Sequence, residues 1–245
     1  MKKPRAPTIL GAVTNPLQIK SLVRSARCGV AVALLAGCGG RQHAEIPAPT
    51  KPLPTAGLAA QQVSVLPLAL LAAEDSLHWQ ALLADRRAAL ARADSVIGTL
   101  LTARTPEVTW VLPDELRRAA RRAPGIAPDP DRMGTAVLRA PGIELVPDPL
   151  RGELRTLVAL GGNGGRYALV PAALVYRRSG APGMVGARHA VPLPPGAPAA
   201  TAELSIVMVD VRTGRIGFRT VARGEGDDPW SALTRAVKSL TPGLP

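Results

Sequence analysis

The spacing of apolar and polar residues predicts a mixed helical and stranded domain over residues 62–241. The longest helical pattern covers residues 76–104, where apolar side chains recur every three or four positions after Ser76, which we expect to cap the helix. Shorter helices follow the same spacing rule or begin with proline and acidic residues. They are predicted for residues 114–122, 131–139, 150–160 and 229–240.

Strand patterns alternate with these helices. The first, residues 62–71, is largely apolar and therefore typical of a strand covered on both faces, with Pro67 indicating a strand end or an edge. Further strands are predicted for residues 107–112, 166–178, 202–212 and 215–223. Thr213-Gly214 separates the last two strands, which form the clearest hairpin in the chain.

This order of elements predicts an α/β (α+β) fold. We expect a single three-layer-like domain with a mixed sheet of about five strands packed by helices. We expect the N-terminal signal and tether to be disordered outside this domain.

A short apolar run ends at Leu35-Ala36-Gly37-Cys38, after the positive charges of Arg24 and Arg27. Positive charge, 7–15 apolar residues and a small-residue junction are typical of a secretory signal, and the run is shorter than the roughly 20 residues of a spanning helix. We interpret the junction as a lipobox, with cleavage between Gly37 and Cys38 and lipidation of Cys38. The alternative is a buried Ala/Leu-rich helix that ends in Gly-Cys-Gly.

The residues around this junction divide the N-terminal part of the chain. We expect a signal peptide over residues 1–37, although 23 residues are long for a positively charged leader and the true start is predicted near Leu22 or Val23. Residues 38–61 are rich in proline and are predicted to form an extended, semi-rigid tether. Gly39, not aspartate, follows the cysteine. In the Gram-negative lipoproteins that this junction resembles, aspartate at that position retains the protein in the inner membrane. The resemblance therefore implies the outer membrane, with the domain in the periplasm.

The net charge of the chain is smaller once the predicted signal is removed. The formal net charge is +12, but six basic residues and no acidic residue precede Cys38, so the mature chain carries +6. Aromatic residues make up only 2%, which leaves few side chains to stack on bases, and we expect no nucleic-acid partner. The chain has two cysteines, Cys28 and Cys38, so a lipidated mature form would have no free thiol for a disulfide, a metal or a nucleophile.

Candidate chemistry is sparse. Four arginines, Arg117, Arg118, Arg121 and Arg122, fall near the C-terminal end of one predicted helix, where they complement the helix dipole or form an anion-binding site. An enzyme would have to use carboxylates that match no known motif. They are Asp75, Glu115, Asp210, Asp227 and Asp228. Asp227 and Asp228 precede the last predicted helix and are expected to cap it. We therefore expect no catalytic set, no metal and no cofactor.

Two stretches carry a resemblance to a known family. The first is VSVLPL at residues 63–68, and the second is RYALVPAALVY at residues 166–176 followed by ELSIVMVDVRTGRIGF at residues 203–218. They are similar to the opening strand and to the hairpin of the type DxRTGxxxW in the TolB N-terminal domain and the curli-secretion (CsgG-like) lipoproteins. The hairpin motif here is Asp210, Arg212, Thr213 and Gly214, which also suits a turn, and Phe218 stands where the aromatic residue is expected.

The resemblance implies an anticodon-binding-domain-like fold without an enzymatic site. Relatives of this fold help to assemble secretion systems or activate peptidoglycan synthases. Pore formation is not implied, because the chain has no obvious amphipathic insertion for a membrane barrel. We expect a non-enzymatic protein that is anchored to the membrane by its N-terminal lipid and binds an envelope protein, with binding of an anionic polymer or lipid headgroup through the four arginines as the alternative.

Overall fold

The computed structural model describes residues 49–162, 164–179 and 200–241, which form a mixed sheet with helices on both faces. The strands are β1 (Gln62–Val65), β2 (Leu71–Ala73), β3 (Thr109–Val111), β4 (Tyr167–Arg178), β5 (Ala200–Asp210) and β6 (Arg215–Gly226). The helices are α1 (Arg86–Arg104), α2 (Pro113–Arg122), α3 (Leu150–Gly161) and α4 (Pro229–Leu240). Short 3-10 helices cover Thr55–Leu58, Asp75–Leu77 and Thr135–Arg139. The predicted lipobox, with Gly37 and Cys38, lies outside the described residues.

Strand β4 is central to the sheet. The strand order is β3-β1-β4-β5-β6, and β2 pairs with β4 beyond the end of β1. The pairings of β1 with β3, of β1 with β4 and of β2 with β4 are parallel, whereas β4, β5 and β6 are antiparallel. The sheet therefore combines a short parallel half with a long antiparallel hairpin.

Two hydrophobic clusters fill the layers on either side of the sheet. One joins α1 and α4 to one sheet face, and the other joins α2 and α3 to the opposite face. Strand β4 contributes to both, because successive side chains of a strand point to opposite faces. Its Leu169 and Leu174 belong to the first cluster, and its Ala168 and Val170 belong to the second. The three-layer α/β architecture expected from the sequence is confirmed.

The apolar stretch at residues 62–71, predicted as one strand, contains β1 and only the first residue of β2, and the described residues form a sheet of six strands. Pro67 marks the break, as its position indicated. Pro171 of β4 lies opposite this break and has no N–H. The register of β4 against β5 also shifts between Pro171 and Ala173. Leu70 O accepts a hydrogen bond from Leu174 N at 2.8 Å, which resumes the pairing. The chain therefore loops out where β4 offers no donor.

The prediction that a helix starts at Ser76 is wrong. Helix α1 begins at Arg86, and Asp85 caps it by accepting a hydrogen bond from Ala88 N at 2.9 Å. The preceding residues turn back so that Trp79 packs edge-to-face against Tyr176, with ring centroids 5.3 Å apart. This tertiary contact outweighs the helical spacing, because burying a large aromatic ring stabilises more than a few residues of helix propensity.

The predicted tether is partly packed onto the domain. Leu53 and Leu58 are buried in the first hydrophobic cluster. Leu53 N donates to Leu240 O at 2.8 Å, and Lys51 N donates to Thr220 Oγ1 at 3.0 Å on the outer side of β6. The packed part of the chain therefore begins before Gln62, the boundary that the sequence pattern predicted.

Helix α4 lies close against β6 because glycine faces it. A Cβ atom at Gly224 would collide with the backbone of Ala236, and one at Gly226 would collide with Ala232. Asp228 caps the helix: its Oδ1 accepts hydrogen bonds from Trp230 N and Ser231 N at 2.9 and 3.1 Å. The capping role predicted for this aspartate is confirmed.

The start of α1 can be tested with two alanine substitutions. Asp85→Ala removes the side chain that satisfies Ala88 N, so we expect a loss of about 1 kcal/mol in the free energy of unfolding. Ser76→Ala, at the exposed position predicted from sequence, should change it by less than about 0.5 kcal/mol. Urea unfolding of both variants provides the measurement. A larger loss for Ser76→Ala would contradict the observed helix start.

Candidate functional site

The most concentrated polar cluster surrounds Arg117 on α2. Its guanidinium contacts three carboxylates: Asp94 Oδ2 at 2.7 Å, Asp114 Oδ1 at 2.8 Å, and Asp131, which accepts from Nε at 3.0 Å and from Nη2 at 2.7 Å. These side chains come from α1, from α2 and from the loop after α2. The cluster therefore joins α1 to α2 and to the loop that follows α2.

Asp94 is the buried member of this cluster, with only 6% of the residue exposed. One carboxylate oxygen accepts from Leu68 N at 2.8 Å, in the loop between β1 and β2, while the other contacts Arg117. Burial raises the pKa of Asp94 to about 6, although both hydrogen bonds lower it. The surrounding carboxylates, Asp131 most strongly, raise the pKa of Arg117 above its ordinary value.

The four arginines predicted as an anion site therefore differ in their surroundings. Arg117 is bound by carboxylates, and Arg118 Nε donates to Asp114 O at 3.3 Å on the same helix. Arg121 and Arg122 are exposed, and no carboxylate of the described ranges pairs with them. Sequence spacing could not reveal the partners of Arg117, because Asp94 and Asp131 are 23 and 14 residues away.

The residues of the hairpin motif form and stabilise the turn between β5 and β6. Asp210 Oδ1 accepts from Arg212 N and Thr213 N at 3.0 and 3.3 Å, and Asp210 Oδ2 pairs with Arg166. Gly214 has φ +76°, which favours glycine, and its N–H donates to Asp210 O at 2.7 Å. The pKa of Asp210 lies below its ordinary value. Burial alone would raise this pKa, but the hydrogen bonds from Arg166, Thr213 N and Arg212 N lower it by more.

The remaining carboxylates considered for catalysis stand on separate elements. Asp75 starts a short 3-10 helix, Glu115 lies in the first turn of α2, and Asp227 precedes the capping Asp228. In the described ranges, no group of three or more histidine, cysteine or acidic residues is arranged to hold a metal ion. Within the same residues, no helix has both the length and the apolar character needed to cross a membrane.

A groove that was not predicted from the sequence runs along the outer edge of β2. We call it the edge groove; its cavity measures about 270 Å³. It is lined by Leu71, Ala72, Ala73, Glu74, Trp79, Gln80, Leu83 and Arg86. The groove exists because β2 pairs with β4 alone, while β3 extends the sheet only beside β1. The signal that could have indicated it is Pro67, which splits the strand.

Comparison with protein-family models, with curated proteins and with solved structures finds no match for this chain. The likeness to the TolB N-terminal and curli-secretion families therefore stays a prediction from the quoted motifs.

The Arg117 cluster predicts a pH-dependent effect of its removal. The pKa of Asp94 is higher in the folded than in the unfolded chain, so its contribution to stability falls as pH rises from about 4 to about 6. Arg117→Met removes the cation and raises this pKa further. We expect it to lower the free energy of unfolding by about 3 kcal/mol at pH 8 and by about 1 kcal/mol at pH 5, where Asp94 becomes protonated.

Urea unfolding at both pH values measures this difference. Arg118→Met, one position along the same helix, is the matched control and should have little effect at either pH. In an Asp94→Asn background, the cost of Arg117→Met should be equal at pH 5 and pH 8. Equal costs in the background that retains Asp94 would contradict the assigned role of the buried carboxylate.

Proposed function

We propose that this protein is a non-enzymatic lipoprotein of the bacterial envelope, held at the periplasmic face of the outer membrane by a lipid on Cys38. Its folded domain binds another envelope protein. The observation that carries the proposal is the Leu35-Ala36-Gly37-Cys38 junction after a short apolar run and two arginines.

The structure supports a binding role through the way it uses its polar residues. Asp210, Asp228 and Asp94 are each held in turn, cap or ion-pair contacts, and these contacts account for their positions without a substrate. The edge groove beside β2, in contrast, offers a surface that the described residues leave open. A domain built in this way is suited to recognising a partner.

Lipidation can be tested with the two cysteines of the chain. In bacteria grown with an alkyne analogue of palmitate, the full chain should become labelled and partition with the outer membrane. Cys38→Ser should abolish the label and release the protein in soluble form. Cys28→Ser is the matched control and should remain labelled. Unchanged labelling of Cys38→Ser, or equal loss in both variants, would contradict lipidation at Cys38.

A second candidate function is binding of anionic lipid headgroups at the exposed end of α2. The observation that favours it is the exposure of Arg121 and Arg122 without a carboxylate partner among the described residues. Arg117 does not contribute, because its guanidinium is bound by three carboxylates.

The Cys38→Ser chain provides a test of this second candidate without the lipid. We expect it to bind vesicles containing anionic lipid at low salt and to lose binding as ionic strength rises, since exposed charges are screened. Arg121→Gln with Arg122→Gln should reduce binding at least fivefold. Arg132→Gln with Arg139→Gln removes the same charge elsewhere and should leave it unchanged. Equal losses in both pairs would show a general charge effect instead of a site.

A further inference from the structure

The edge of β2 that faces the edge groove carries backbone groups that the sheet does not use. Leu70 O accepts from Leu174 N, and Glu74 N donates to Tyr176 O, so even-numbered residues direct their backbone groups to β4. Leu71 and Ala73 therefore direct theirs away from β4, because backbone groups alternate along a strand. Arg86 Nη1 donates to Leu71 O at 3.1 Å, which confirms this direction.

The two faces of this edge differ in character. Leu71 is buried in the first hydrophobic cluster, with Trp79 and Leu83 below it, whereas Ala72 is exposed on the opposite face. A strand placed beside β2 would therefore have one side chain row on an apolar floor and the other row in solvent. Such a strand needs apolar residues at every second position and polar residues between them.

Among the described residues, no strand pairs with the outer side of β2, so a further strand could be added there. Strand β3 pairs with β1 from Gln62 to Ser64 and ends at Val111, and α2 begins two residues later at Pro113. Gln80 and Arg86 line the groove beside β2, and Arg86 is the first residue of α1. The N–H and C=O of Ala73 face this space.

From these observations we propose that the edge groove binds an extended peptide segment of a partner protein, which adds to the sheet as a strand beside β2. The backbone of Ala73 and the N–H of Leu71 supply the hydrogen bonds, and Trp79 and Leu83 contact the alternate apolar side chains. This mode of recognition is strand addition, in which main-chain bonds give affinity and pockets give sequence preference. The inference rests on the proposed binding role and names its site and its type of partner.

The test uses the full chain in detergent as bait for a displayed library of random decapeptides. Peptides enriched on this bait, and not on an Ala73→Pro bait, should show apolar residues at alternate positions. Proline at residue 73 removes the outward N–H, while the neighbouring residues keep their bonds to β4. Synthetic versions of the enriched peptides should bind Ala73→Pro at least tenfold more weakly, as expected for one lost hydrogen bond and an obstructed edge.

Two further variants keep the result interpretable. Leu83→Gln changes the groove floor without altering the backbone and should weaken binding at least threefold. Thr99→Ser, exposed on α1 and outside the groove lining, is the control and should leave binding unchanged. Thermal unfolding of each variant confirms that it is folded. If Ala73→Pro does not fold, Leu83→Gln and Thr99→Ser still decide the outcome.

Amide hydrogen exchange provides a direct readout. On adding peptide, exchange of the Ala73 amide should slow at least tenfold, while that of Thr99, exposed on α1, should not change. The proposal is overturned if no peptide is enriched over the Ala73→Pro bait, if all variants bind equally, or if the Ala73 amide exchanges at the same rate with peptide. Each of these results leaves lipidation of Cys38 untouched, because the label on Cys38 is measured separately.

Discussion

The buried strand β4 imposes the constraint on which this fold depends. Every N–H and C=O of a strand covered on both faces needs a partner, since an unpaired buried group costs about 1–3 kcal/mol. Strand β5 satisfies one side along the whole length of β4. The other side needs two separate strands, β1 and β2, because Pro171 has no donor at the point where they are interrupted.

The interruption creates the polar features of the parallel half. Where the chain leaves β4, Leu68 N would be a buried donor without a partner, and Asp94 accepts its hydrogen bond. Asp94 in turn carries a buried charge that Arg117 neutralises, and Arg117 extends the contact to Asp131. One missing N–H in β4 is thus connected, contact by contact, to the ion pairs on the surface of α2.

Local signals predicted the elements whose ends are set locally. Helix α2 begins at Pro113, the hairpin turns at Gly214 and α4 begins after Asp228, each as expected from proline, glycine or a capping side chain. Errors arose where distant contacts decide. Trp79 meets Tyr176 almost 100 residues later and displaces the start of α1, and Leu53 pairs with Leu240 near the other end of the chain.

The same limit applies to the candidate site. The arginines of α2 could be identified from sequence, but the three carboxylates around Arg117 could not, because their meeting depends on how α1 packs over the strand break. The edge groove was missed for a related reason. Its lining combines β2 with residues 79–86, a stretch that helical spacing had assigned to the interior of one long helix.

If Cys38 carries a lipid, as proposed, the attachment of the chain to the domain at Lys51 limits how far the domain can lie from the bilayer. A free segment from Cys38 to Gln61 would allow about 80 Å between lipid and domain, at 3.3–3.6 Å per residue. Because the chain is already fixed to β6 at Lys51, only residues 38–50 separate the two, and the distance cannot exceed about 45 Å. A lipid on Cys38 would therefore confine the domain to a thin layer above the membrane and limit it to partners that extend into that layer.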